Sequence, residues 1–164
     1  MAYVYTGKLL RIDLTAGQWE IQEIADSMVR GYLLGSGLAA GLFYDAMDPQ
    51  RDALDPSSPL YFMAGLLTGT LVPTGCRSSI CGRSPLTGIW NESSVGGYWG
   101  AELRFAGFDG IVVTGRASHP VYLWIHNGTV ELRPADELWG QDCFETKERL
   151  RAETDPNAEV ACIG

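Results

Sequence analysis

The sequence predicts a single domain of the α+β class that is rich in β-structure. Two stretches, residues 8–24 and 121–132, each show the alternation typical of a β-hairpin, and each is followed by a helical stretch. The glycine-rich segment 64–100 lies between them. At 164 residues the chain is long enough to bury a core of its own.

The first unit runs from the opening hairpin to a closing strand. After the hairpin, Asp26 is the predicted N-cap of a helix, because a short acidic side chain can accept hydrogen bonds from the first free N–H groups. Gly35 and Gly37 interrupt that helix, and a second helical stretch covers residues 38–47. Residues 60–64 are apolar and predict a buried strand.

The second part of the chain repeats this order. A helix within 94–105, which begins near 95–97, and a strand over 110–115 are predicted first. A hairpin around an Asn-Gly pair, a helix over 143–151 and a strand over 159–163 then repeat the order of the first unit. Hairpin, helix and strand therefore occur twice, which favours an internal duplication. Chance is the competing explanation, because this order of elements is common.

The glycine-rich segment is the most unusual part of the chain. It holds two similar loops, 67–70 and 84–88, together with Arg77 and Arg83. Glycine lets the backbone approach a ligand closely, freed N–H groups can bind anions, and arginine matches the geometry of phosphate. The segment therefore suits a large, flat cofactor that carries phosphate. The same composition is also typical of a β-rich domain with many tight turns.

Composition and charge argue against several classes of function. The net charge of −8 does not suit a general nucleic-acid surface. No apolar run approaches the ~20 residues of a membrane helix, and residues 1–7 hold no signal-peptide core, so we expect a cytoplasmic protein with no membrane span. The four cysteines form no CxxC pair, and we expect reduced, mostly buried thiols.

Six blocks of sequence follow one another along nearly the whole chain. They are TGKLLRIDLT from residue 6, AGLLTGT from 64, SPLTG from 84, GGYWGAELRFAGFDG from 96, LWG from 138 and ACIG from 161. In this order they resemble the opening of the aldehyde:ferredoxin oxidoreductase family, the tungsten-pterin enzymes. The resemblance implies that residues 1–164 form one domain, an incomplete N-terminal domain of a larger enzyme. Its two hairpin-plus-helix repeats would form sheets that act as a base for the pterin cofactor.

The resemblance also implies roles for four residues in cofactor binding and for none in catalysis. Arg77 corresponds to an arginine that bridges the pterin and an iron–sulfur cluster; a surface ion pair is its alternative role. Ser94 stands where the family often has asparagine, and its backbone carbonyl would bind a magnesium ion that links the pterin phosphates. Gly96 and Gly97 would direct N–H groups at a helix start toward those phosphates. Arg83 is expected to be structural.

Other candidate side chains favour ordinary structural roles. His119 and His126 are predicted to be exposed loop residues rather than catalytic groups. Trp99, Trp124 and Trp139 are expected in the core rather than as stacking platforms. The cysteines that hold the cluster in the family lie in later domains, so the 164-residue segment alone is expected to be inactive.

The function that the resemblance implies is oxidation of a small aldehyde to a carboxylic acid. Electrons would pass from tungsten, or molybdenum in its place, through a [4Fe–4S] cluster to ferredoxin or another electron-carrier protein. A homodimer is the expected oligomer if one forms. Two alternatives stay open: a binding or assembly module without catalysis, and a family member with another substrate, such as an aromatic thioester reductase.

Overall fold

The computed structural model describes residues 4–163. Within them, the strands are Lys8–Asp13 (β1), Gln18–Glu23 (β2), Leu60–Ala64 (β3), Ser78–Arg83 (β4), Trp90–Val95 (β5), Gly110–Thr114 (β6), Val121–His126 (β7) and Thr129–Pro134 (β8). The helices are Asp26–Tyr32 (α1), Ser36–Ala46 (α2), Trp99–Phe105 (α3) and Cys143–Glu153 (α4), with a 3-10 turn at Asp136–Leu138. The predicted mixture of sheets and helices is confirmed.

A six-stranded sheet in the order β2-β1-β6-β3-β4-β5 forms the centre of the molecule. The pair β1–β6 is parallel and the other neighbours are antiparallel. Because β1 and β6 run together and β3 runs against them, the start of β1, the start of β6 and the end of β3 meet at one end of the sheet. The loop 65–77 extends from this end.

Both faces of the sheet are covered, and successive residues of β1 show it. Leu9 points to one face and Leu10 to the other, and both are buried. On the face covered by α1 and α2, the buried cluster is Leu9, Ile24, Val29, Leu34, Leu38, Ala39, Tyr61, Met63, Cys81 and Val112. On the face covered by α3 and the β7–β8 hairpin, it is Leu10, Ile12, Leu103, Phe108, Ile111 and Val130.

The first predicted unit is present, with one correction at its first helix. The hairpin, two helices and closing strand appear as β1–β2, α1, α2 and β3. Asp26 is not the N-cap, however; Ala25 occupies that position and makes no side-chain capping bond. The Asp26 carboxylate instead accepts a hydrogen bond from the Tyr5 hydroxyl at 3.0 Å. The hydrogen bond from Tyr5 therefore competes with helix capping for the Asp26 carboxylate.

The second predicted unit is only partly formed. Its hairpin is β7–β8, with Asn127 (φ 48°) and Gly128 (φ 80°) in the left-handed conformations that a two-residue turn requires. Its helix is α4, capped by Asp142, but the predicted strand over 159–163 is wrong. A strand needs a neighbour for its backbone hydrogen bonds, and no described strand pairs with these residues.

The glycine-rich segment contains a hairpin that the sequence did not predict. Strands β4 and β5 pair antiparallel through their full length. Their serines, glycine and acidic residue have weak preference for strands, so pairing with β3 decides the structure here. The predicted helix that follows begins at Trp99 rather than near 95–97.

None of the helices within residues 4–163 has the length and apolarity needed to cross a membrane.

The structure also tests expectations for the cysteine and tryptophan side chains. The thiols are free, as predicted, but only Cys81 is buried, so the expectation of mostly buried cysteines is wrong. Trp99 packs against Phe62 with ring centroids 5.9 Å apart, whereas Trp139 is 69% exposed and not in the core.

Candidate functional site

The candidate site lies where three strands meet their loops. Strand β3 ends at Ala64, β4 begins at Ser78 and β5 ends at Val95. Because these strands are neighbours in the sheet, the loop 65–77 and the turn 96–98 lie side by side. We call these two segments the glycine loops.

The loop 84–88, which resembles the loop 67–70 in sequence, does not belong to this site. Residues 84–88 connect β4 to β5 at the opposite end of these strands, so the whole segment 64–100 does not form one surface. Arg83 belongs to that opposite end. Its guanidinium donates to the carbonyls of Gly88, Asp48, Pro49 and Arg51, which confirms its predicted structural role.

Arg77 is placed at the glycine loops with its side chain free. The residue is exposed, and its guanidinium makes no hydrogen bond or ion pair within residues 4–163. It lies beside Gly96, where a Cβ would be 4.0 Å from Nη1 of Arg77. The Cys76 thiol donates to the Gly97 carbonyl at 2.8 Å and joins the two loops. The geometry thus leaves a positive charge at the junction of the loops, without a protein partner in the described residues.

The backbone of Arg77 is held much more firmly than its side chain. Its carbonyl accepts hydrogen bonds from Gly65 N–H, at 2.9 Å, and from the Thr68 hydroxyl. Its N–H lies 3.2 Å from the same hydroxyl. A Cβ at Gly65 would lie 2.8 Å from the Arg77 carbonyl oxygen, so only glycine permits this approach.

Ser94 lies on β5, and its carbonyl faces the outside of the sheet. The N–H of Ser84 donates to the carbonyl of Ile89 at 2.8 Å, so these two residues form a hydrogen-bonded pair. The pair of Ser79 with Ser94 lies five pairs further along the same two strands. Hydrogen-bonded and non-hydrogen-bonded pairs alternate along antiparallel strands, and this pair is of the second kind. The Ser94 carbonyl therefore points away from β4, beyond an edge that no described strand covers.

Gly96 and Gly97 lie in the turn before α3 rather than in the helix. Both are exposed, Gly97 has a φ of 84°, and neither N–H donates a hydrogen bond within residues 4–163. The expectation that they form a helix start is wrong, since α3 begins two residues later and is only seven residues long. They retain two backbone donors close to the Arg77 side chain.

Two further residues at this end of the sheet were missed by the sequence reasoning. Thr68 and Arg104 are both buried, and both hydrogen-bond to the loop 65–77. The available signal was a charged residue within the otherwise apolar block LRFAGF, since a buried arginine needs several acceptors. His119 and His126 are exposed, as predicted, but His126 is the last residue of β7 rather than a loop residue. No group of three or more His, Cys, Asp or Glu side chains in the described part of the chain could hold a metal ion.

Comparison with known proteins identifies the class to which this fold and these loops belong. Residues 9–164 match the family model of the aldehyde ferredoxin oxidoreductase N-terminal domain. The chain belongs to this family.

Two similar proteins are named as oxidoreductases. The chain is 41% identical over 161 residues to the tungsten-containing aldehyde ferredoxin oxidoreductase of Pyrococcus abyssi, covering 98% of this chain and 26% of that protein. It is 34% identical over 154 residues to the aliphatic sulfonate oxidoreductase, WOR-like subunit, of Pyrococcus furiosus, covering 92% and 24%. The chain thus spans about a quarter of the length of these relatives.

A solved structure has the same fold. The active site complex BamBC of benzoyl coenzyme A reductase, in complex with 1,5-dienoyl-CoA, superimposes with a TM-score of 0.93 at 36% identity. The match covers 96% of this chain and 24% of that one. Relatives with this domain therefore include proteins named for different substrates.

Proposed function

We propose that the complete protein is an aldehyde oxidoreductase with a tungsten bis-pterin cofactor, and that residues 4–163 are the base on which the cofactor rests. The observation that carries the proposal is Arg77, an exposed guanidinium at the junction of the glycine loops with no hydrogen-bond or ion-pair partner among residues 4–163. The tungsten-containing relatives support the choice of metal, with molybdenum as its chemical alternative.

The donors and acceptors of the site fit a cofactor that carries phosphate. Arg77 supplies a fixed positive charge and several N–H donors, which suit a phosphate or a pterin edge. Gly96 and Gly97 supply two backbone N–H groups that have no acceptor within the described residues. The outward carbonyl of Ser94 supplies an oxygen of the kind that magnesium binds, which would link the phosphates to β5. Ser94 stands where the family often has asparagine, but a ligand from the backbone carbonyl is the same for either residue.

The cofactor would supply the two-electron chemistry, while this domain would hold and orient it. Oxidation of an aldehyde, with water as the source of the added oxygen, gives a carboxylic acid, two protons and two electrons. The electrons would leave through a [4Fe–4S] cluster, held by later parts of the protein, to ferredoxin or another carrier in the cytoplasm. Arg77 would contact both groups, and its charge would favour the reduced, more negative forms.

Substitution of Arg77 in the full-length protein tests this role. We expect Arg77→Ala to lower the tungsten and pterin bound per chain, or the rate of electron transfer. The thermal unfolding midpoint of the cofactor-free protein should stay unchanged, because the guanidinium makes no hydrogen bond or ion pair within residues 4–163. Arg83→Ala is the matched control; it should lower the unfolding midpoint and leave the bound tungsten unchanged per folded chain. Unchanged tungsten content and turnover in Arg77→Ala would refute the assignment.

A second candidate is a tungsten enzyme of the same family that reduces an aromatic thioester. It is favoured by the structural match to a benzoyl coenzyme A reductase complex at 36% identity. Both candidates use the same base for the cofactor, so they differ only in substrate. Assays of the full-length protein with small aldehydes and with aromatic CoA thioesters, each with a dye as electron acceptor or donor, would separate them.

A further inference from the structure

A buried ion pair lies directly behind the glycine loops. Arg104 of α3 is 7% exposed and Asp109 is fully buried, and Nε of the arginine is 3.0 Å from Oδ1 of the aspartate. We propose that Arg104 and Asp109 form a positioning clamp that fixes the loop 65–68 and, through Thr68, sets the position of Arg77. This inference rests on the proposed function only where it assigns Arg77 to the cofactor.

The arginine is joined to the loop at three points. Its two Nη groups donate to the carbonyls of Gly65 and Leu66, each at 3.0 Å, and to the carbonyl of Thr68. This loop has no regular secondary structure, so its inward carbonyls need a donor from elsewhere. A planar guanidinium can serve all of them and the carboxylate together, because its donors point in several directions.

The aspartate joins the same pair to the rest of the sheet. Its Oδ2 accepts hydrogen bonds from the Thr6 hydroxyl at 2.9 Å and from Gly7 N–H at 2.6 Å. Its backbone N–H donates to Lys8 and its carbonyl accepts from Ala64, so it also ties β1 to β3. The clamp therefore ties the loop to the ends of β1 and β3 in the central sheet.

Thr68 carries the constraint from the clamp to Arg77. It is fully buried; its carbonyl accepts from Arg104, and its hydroxyl donates to the Arg77 carbonyl. Arg77 is thus held through its peptide group while its side chain stays free. Replacement of a buried ion pair by apolar groups is often neutral or stabilising, so stability alone does not explain this arrangement. Positioning of the loop does.

Hydrogen exchange and tungsten content of the full-length protein test the clamp. Arg104→Lys keeps the charge beside Asp109, but a single ammonium cannot reach all three carbonyls. We expect exchange at the amides of Gly65 and Arg77 to rise about tenfold, as for loss of one ordinary hydrogen bond, and tungsten per chain to fall. Arg83→Lys is the matched control, because Arg83 also donates to loop carbonyls but at the opposite end of β4. It should leave exchange at Gly65 and Arg77 unchanged.

A second pair of variants keeps the test independent of the folding of Arg104→Lys. Thr68→Val is isosteric and removes only the hydroxyl, so exchange at Arg77 should rise while the ion pair stays intact. Thr68→Ser restores the hydroxyl and should return exchange toward the wild-type rate. A folded Thr68→Val protein with unchanged exchange at Arg77, or equal effects of Arg104→Lys and Arg83→Lys there, would overturn the clamp. Exchange needs no cofactor, so absence of tungsten from the wild type would contradict the proposed function alone.

Discussion

Gly100 of α3 lies directly against the side chain of Ser78 at the start of β4. A Cβ at position 100 would overlap the Ser78 hydroxyl and would lie 3.1 Å from the Ser78 Cβ. Both residues are buried. The missing side chain therefore sets how closely α3 packs on the sheet beside the glycine loops.

Gly100→Ala should destabilise the fold although it lies inside a helix. Alanine favours a helix by about 1 kcal/mol over glycine, but the overlap with Ser78 should cost more, since overpacking costs about 1–3 kcal/mol. We expect a lower urea midpoint for the 164-residue chain. Gly31→Ala in α1 is the control, because a Cβ there meets no atom of residues 4–163 within 4 Å; it should raise the midpoint. A stabilising effect of both substitutions would contradict this packing.

Asp109→Asn should be among the most destabilising single substitutions in the chain. It leaves the Arg104 charge buried beside a neutral amide, and loss of one partner of a buried pair costs about 3–5 kcal/mol. Glu131→Gln is the control, because Glu131 pairs with Arg133 at 2.8 Å where both side chains are partly exposed. That change should alter the free energy of unfolding by less than about 1 kcal/mol. Similar losses in the free energy of unfolding for the two variants would contradict a larger contribution from the buried pair.

Asp142→Ala should destabilise α4 by removing its cap. The Asp142 carboxylate accepts from Phe144 N–H at 2.8 Å and from Glu145 N–H at 2.9 Å. Loss of such a cap costs about 0.5–2 kcal/mol, measured by the urea midpoint or by exchange of the α4 amides. Asp142→Asn keeps an acceptor and should lose much less. Equal losses in the two variants would argue against capping.

The Cys81 thiol should be the least reactive of the described cysteines. Burial, and secondly the charge of Glu92, raises its pKa from 9.0 to about 12. At pH 8 only about one molecule in ten thousand would then carry the thiolate that reacts. Iodoacetamide at pH 8 should label the exposed Cys143 first and Cys81 only after unfolding; mass spectrometry of the labelled peptides decides this. Early labelling of Cys81 would contradict its burial.

The same raised pKa predicts how stability depends on pH. Because the fold favours the neutral thiol, its contribution is complete below pH 9.0 and is lost as the pH rises toward about 12. Burial also raises the pKa of Tyr61 from 10.0 to about 12, in the same direction. The urea midpoint should fall between pH 9 and pH 11, and less steeply in Cys81→Ala. A midpoint that is constant over this range would refute the prediction.

Sequence reasoning located the elements that carry their own local signal. The β7–β8 hairpin follows from Asn127 and Gly128, and β3 and β6 follow from their apolar runs. It failed where tertiary contacts decide: β5 is mostly polar and forms only because β4 offers a partner, and residues 159–163 look like a strand but have none. Local pattern does not contain the partner on which a strand depends.

The candidate site shows the same division. The order of the sequence blocks predicts a cofactor role for Arg77, which stays a prediction, while the structural role expected of Arg83 is confirmed by its hydrogen bonds to loop carbonyls. The contacts behind Arg77 were not accessible, because Arg104 lies 39 residues from Gly65 in the chain and reaches it only through the packing of α3. Long-range polar contacts between loops leave no periodic trace in a sequence.

We propose that this domain is the base for a tungsten-pterin cofactor. Elemental analysis of the full-length protein, purified from its source and measured together with its native mass, tests it most directly. We predict stoichiometric tungsten or molybdenum with bound pterin in the wild type, and loss of both from Arg77→Ala at unchanged fold. A native protein that contains neither metal nor pterin would contradict this role of the domain.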